Sequence, residues 1–151
     1  MTQEINRDDE RTHYSYAVGL RIEHPQIDPS EITANLGILP KRAFRVGEPR
    51  TGPKGSPLPG LNKSSYWVAE VCEGDFREAE LALVLDKLLD SYTPFKEFFR
   101  SIRRTGGQIE IFVGWFFDHN SGDVFSFSLL QKFADLQIDL SLDIYEPTRE
   151  P

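Results

Sequence analysis

The sequence has little of what redox, metal or membrane chemistry needs. It holds one cysteine, Cys72, so no internal disulfide and no multi-cysteine metal cage can form. Nothing in it calls for an oxidising compartment. The three histidines, His13, His24 and His119, are scattered with no partner at metal-ligand spacing. No run approaches the roughly 18 apolar residues that read as a membrane span. Met1 to Glu10 are polar and acidic, unlike a signal peptide. These absences predict a cytoplasmic protein with no cofactor, no metal and no membrane partner.

Catalytic signatures are also missing. There is no Gly-x-Ser-x-Gly elbow. Gly47 to Gly52 has the spacing of a phosphate loop, but Pro53 stands where lysine is required and removes a backbone donor. Asp118 to Asp123 looks like the start of a calcium loop. Its glycine, Gly122, comes fifth rather than sixth, and no glutamate closes the loop at the twelfth position. It reads as a hairpin turn. Asp139 and Asp143 are about 13 Å apart along a strand, too far to act as a local carboxylate pair.

What is present is a core and an uneven charge. A chain of 151 residues suits one domain. Its 39% hydrophobic residues, with the 11 glycines, match a globular composition. The net charge of −7 argues against a nucleic-acid partner, which would call for a basic face. Yet residues 41–63 carry six basic residues and one acid, a local +5 that leaves −12 for the rest.

Residues 1–12 read as a frayed start, 13–146 as a single α+β domain, and 147–151 as a frayed tail. Tyr14, Tyr16, Val18, Leu20 and Ile22 alternate as the core face of a first strand. Asp28, Pro29 and Glu31 start a helix that Gly37 ends. Residues 47–60 hold four glycines and four prolines and predict a loop, part of a Pro/Gly-rich stretch at 47–63. Tyr66 to Cys72 reads as a second strand, and Leu81 to Tyr92 as a helix. Thr93 and Pro94 are expected to cap a further helix, whose core face is Phe95, Phe98, Phe99 and Ile102. Ile109, Ile111, Val113, Trp115 and Phe117 face one way in a third strand. His24, at a strand end before Pro25, takes a surface role by default. A brief strand at 124–127 and a short helix capped by Ser128 precede the last strand. There Ile138, Leu140, Leu142 and Ile144 are expected to be buried in an antiparallel sheet. The fold class is therefore α+β, a mainly antiparallel sheet of four to five strands with helices on one face, a ferredoxin-like variant.

Two surfaces stand out. Lys41, Arg42, Arg45 and Arg50, with the Tyr66–Trp67 pair following, form a candidate anion site, since arginine forks recognise phosphates and carboxylates. The same side chains could instead neutralise the protein's own acids, such as those on the last strand. The second surface is the nominally wet face of the third strand. Phe112 and Phe116 there call for a cover: the long loop, Tyr145 or a second subunit.

The run Asp28-Pro29-Ser30-Glu31-Ile32 through Leu36-Gly37-Ile38-Leu39-Pro40, then Gly47 and Ser65-Tyr66-Trp67, resembles the bacterial domain of unknown function 4279 family. So does the ending, Leu129-Leu130 through Ala134-Asp135-Leu136 to Asp139-Leu140-Ser141-Leu142-Asp143-Ile144-Tyr145. The resemblance spans about Tyr14 to Tyr145. It implies a small bacterial α+β protein and carries no catalytic residues; the loop between Gly47 and Trp67 looks longer than the family's.

The residues thus favour a non-enzymatic binding or interaction module with a protein partner, a homodimer being one form of it. The alternative is a small-anion binder using segment 41–63. An immunity-type or accessory role is a third reading by analogy only, and an enzyme assembled only in three dimensions ranks last.

Overall fold

The computed structural model describes residues 13–147. Of the ends expected to fray, 1–12 and 147–151, all but Pro147 lie outside the described residues. In chain order the elements are β1 (Tyr14–His24), α1 (Pro29–Leu36), β2 (Arg42–Phe44), β3 (Pro49–Thr51), β4 (Pro57–Leu61) and β5 (Ser65–Asp75). Then come α2 (Leu81–Tyr92), a 3-10 turn (Thr93–Phe95), α3 (Lys96–Arg104), β6 (Gln108–Phe117), α4 (Phe127–Leu136) and β7 (Asp139–Tyr145).

The five-stranded sheet has the order β2-β5-β1-β6-β7, and β3 and β4 form a separate ribbon. β1 is central and antiparallel to both β5 and β6. Its alternation is obeyed: Tyr14, Tyr16, Val18, Leu20 and Ile22 are buried, opposite the buried Ile109, Ile111, Val113 and Trp115 of β6. The helices add Ile32, Leu36, Leu81, Leu85, Leu89, Phe99, Ile102, Leu129 and Phe133 to the same single core. This is the α+β layer the patterning predicts, with helices packed on one side of a mainly antiparallel sheet.

α1 starts where its sequence says. Asp28 Oδ1 accepts from the Ser30 amide at 2.9 Å, Pro29 fills the first position, and Gly37 closes the helix at φ +67°. α2 is capped differently, from a distance. Its own N-cap, Glu80, makes no side-chain bond. Asp123 supplies it instead: its Oδ2 accepts from the Ala82 amide at 2.9 Å and from the Tyr14 hydroxyl at 3.0 Å. The Tyr14 hydroxyl in turn accepts from the Leu81 amide at 3.0 Å. Burial is the main reason the Tyr14 hydroxyl titrates far above its usual range.

Several expectations are corrected. Residues 47–60 are not a plain loop: they hold β3 and β4, which pair antiparallel. Gly55 and Gly60 adopt positive φ at and beyond the turn, and prolines keep the ribbon outside the main sheet, where missing donors do no harm. Thr93 is no N-cap; it continues helically from α2 into the 3-10 turn. Residues 124–126 form no strand, and the cap of α4 is Ser126, whose Oγ accepts from the Leu129 amide. His24 is buried rather than at the surface.

The last strand departs most. β7 runs parallel to β6, because α4 carries the chain back to the starting end of the sheet. It is also an edge strand. Ile138 is buried and Leu140 half-buried, but Leu142 and Ile144 are 43% and 62% exposed. α4 covers only the start of β7, so the alternating pattern marks a face without a lid.

Candidate functional site

Residues paired across neighbouring strands share a face. The face opposite the core therefore carries Ala17, Gly19 and Arg21 of β1, Glu110, Phe112, Gly114 and Phe116 of β6, Tyr66, Val68 and Glu70 of β5, Arg42 and Phe44 of β2, and Ser141, Asp143 and Tyr145 of β7. No described helix lies across it, since the buried helix residues all belong to the core on the other side.

Three aromatic groups cross this open face. Phe116 stacks on Tyr145 at 4.8 Å, with ring planes 10° apart. Phe44 stacks on Tyr66 at 5.1 Å, with the Arg42 guanidinium 5.4 Å above Phe44. Between them stands Phe112 under the Arg21 guanidinium, 4.7 Å from its ring centre. The cover expected over Phe112 and Phe116 is thus partial and comes from Arg21 and Tyr145. The 47–63 segment meets this face at Arg42 and Phe44 instead, and Phe116 and Tyr145 remain 42% and 43% exposed.

A groove of about 430 Å³ runs beside Phe112, floored by Ala17, Gly19, Val68 and Val71 and rimmed by Arg21, Lys41, Glu70 and Glu73. Two features open it. Gly19 has no side chain, and a Cβ there would come within 3.2 Å of the Ala69 carbonyl oxygen. The β1–β5 register also slips between Val18 and Gly19, leaving Val71 as an extra, bulged residue. Three of the rim charges are answered within the protein: Arg21 holds Glu110 at 2.6 Å, and Lys41 holds Glu70; Glu73 brings the rim's own charges to two of each sign. The groove is therefore apolar at its floor and charge-balanced at its rim. That chemistry receives an apolar side chain and its flanking backbone. Burial pushes the nearby Cys72 thiol up, the opposite of an activated nucleophile.

The basic segment does not converge. Lys41 belongs to the groove rim. Arg42 donates to the Thr51 carbonyl at 2.9 Å, and Arg50 to the Pro59 carbonyl at 3.2 Å. Arg45 sits 3.4 Å from Asp28, whose carboxyl is held low mainly by the Ser30 amide and further by Arg45. The acids answered are Glu70 and Asp28, not those of the last strand; Asp139 is taken by Arg103 at 3.0 Å. Tyr66 faces the open side with Phe44. Trp67, one residue on, points into the core, fully buried, with its indole N–H on Thr33 Oγ1 at 3.0 Å. It can touch no surface ligand, which corrects its place beside Tyr66. Among the described residues no three His, Cys, Asp or Glu side chains are grouped as a metal site. No described helix is long and apolar enough to cross a membrane.

A family model described as "Domain of unknown function (DUF4279)" matches residues 12–147. The chain belongs to the DUF4279 family. No curated protein and no solved structure matches it. Within this DUF4279 chain, the groove residues Ala17, Gly19, Val68 and Val71 are the part of the site that patterning misses. The one available signal is that the outward positions of β1 hold the small residues Ala17 and Gly19 where a wet strand normally carries polar ones.

Proposed function

We propose that this DUF4279 protein is a non-enzymatic binding module whose open sheet face receives a protein partner, with an apolar partner side chain seated in the groove over Gly19. The observation that carries this reading is an aromatic-bearing sheet face that no layer of the described residues covers, opened at its centre by a glycine and a bulge. Surfaces with an apolar centre and a paired, polar rim match the anatomy of protein interfaces. A photo-crosslinking residue at Val68, in the groove, is the test, with Leu83 on the exposed flank of α2 as control. Val68 should capture one discrete protein in the source cell, Leu83 should not, and Ala17→Arg should abolish the capture. The same products from both positions, or none from Val68, would contradict the reading.

A second reading, small-anion binding, is favoured by a cleft of about 470 Å³ lined by Arg50, Asn62, Lys63 and Ser64 and by no acid. Inorganic phosphate at a hundred times its Kd should stabilise the fold by about 2.7 kcal/mol. Arg50→Ala/Lys63→Ala should remove that shift. No shift in the wild type would end this reading.

A further inference from the structure

The sheet has two edges, and they are treated differently. Exposed edges present unpaired N–H and C=O groups and are normally blunted by short length, proline, lysine or bulges. The β2 edge is only three residues long. The β7 edge has seven residues, Asp139–Tyr145, without proline, lysine or a break in its register with β6. Among the described residues nothing pairs with its outer side. On its helix-side face Leu142 and Ile144 are left open to solvent. α4, which packs against β7, turns Lys132 toward Asp86 and Asp90 of α2. Leu130 lies two residues earlier, about 200° round the helix. It leaves on the other flank, 47% exposed.

The edge is complementary to itself. Opposed residues of an antiparallel pair share a face, so a two-fold axis perpendicular to the sheet permits only registers centred on a residue. The register that pairs all seven residues is centred on Leu142. It sets Leu142 against Leu142 of the second copy and Leu140 against Ile144, apolar on apolar. It sets Ser141 against Asp143 and Asp139 against Tyr145, in each case a hydroxyl facing a carboxylate. One step toward the start, centred on Ser141, puts Asp139 against Asp143 twice. One step toward the end puts Asp143 against itself. Like charges directly opposed destabilise a strand pair. The register of full overlap is therefore free of the acid–acid clash that both neighbouring registers carry.

We infer that a second copy of this chain pairs with it, β7 to β7 and antiparallel, joining two five-stranded sheets into one of ten strands. The contact is isologous, as a two-fold dimer requires, and keeps both open faces on the same side. It depends on the β7 edge alone and stands apart from the groove.

Sedimentation equilibrium of the full chain tests it. The wild type should reach twice 17.3 kDa, and Leu142→Lys, at an already exposed position, should return it to 17.3 kDa with its fold intact by circular dichroism. In a Cys72→Ser background, Leu142→Cys should cross-link to its own copy on mild oxidation. Opposed strand residues lie about 4.5–5.5 Å apart, within disulfide reach. Leu83→Cys on α2 should not cross-link. A wild type that stays at 17.3 kDa up to millimolar concentration, a dimer indifferent to Leu142→Lys, or a Leu142→Cys that never links overturns the inference.

Discussion

Two polar side chains, the buried His24 and the half-buried Asp123, tie the domain together at points where no strand or helix does. His24 Nδ1 accepts from the amides of Gln26 and Ile27 at 3.0 and 2.9 Å, and its Nε2 donates to Thr105 Oγ1 at 2.7 Å. It thereby pins the β1–α1 turn to the end of α3. Both acceptor bonds need an unprotonated Nδ1. Burial lowers the folded pKa below 6.5, with Glu31 opposing only in part. The unfolded chain therefore binds this proton first as pH falls. Stability should be full above 6.5 and decline below it, toward the lower folded value. Asp28 and Asp75, whose carboxyls are lowered by the Ser30 and Arg77 amides, weaken the fold only nearer 3.8. Urea midpoints between neutral pH and pH about 5 should fall for the wild type and stay flat for His24→Gln; equal slopes would contradict the role. Asp123 caps α2 and holds Tyr14, so Asp123→Ala should cost about 1–3 kcal/mol in denaturant melts. A loss near zero would mean that α2 is capped otherwise. Neither role was legible in the sequence. Both residues act on segments far along the chain, His24 on Thr105 and Asp123 on Ala82, and no local spacing encodes that.

Elements show where patterning works and where it stops. α2 presents Leu85 to the core and Leu83 to solvent. Leu85→Ala should cost about 2–5 kcal/mol, and Leu83→Ala less than about 0.5; similar losses at both sites would contradict the helix's orientation. β1 and α1 were readable because alternation, the Asp28–Pro29 start and the Gly37 stop are local signals. β2, β3 and β4 were not, since three to five residues are too few to show a periodicity, and prolines and a glycine mask what β3 and β4 have. The β3–β4 ribbon contributes no core side chain. Replacing residues 52–58 with a short turn should leave the melting midpoint almost unchanged; a large drop would place that ribbon over the sheet. In β5, Ser65, Trp67 and Ala69 face inward while Tyr66 and Val68 face out. Both faces hold apolar residues, so the strand hides which way Trp67 points. In β7 the alternation is clear, yet it names two faces without saying that one lacks a covering helix.

At the scale of the molecule, one layer of helices serves one face of the sheet, and among the described residues no layer covers the other. Phe112 and Phe116 already flagged that face, because apolar residues at outward positions need something to meet them. The groove beside them was hidden, because it depends on a glycine, a bulge and three strands lying side by side. An open face is the premise of the binding reading, and hydroxyl-radical footprinting of the isolated protein examines it most directly. Tyr66, Phe116 and Tyr145 should be oxidised readily, while Tyr14, Trp67 and Trp115, buried on the helix side, should be spared. Protection of Tyr66, Phe116 and Tyr145 in the isolated chain would mean that the protein covers this face itself, and would contradict its role as a docking surface.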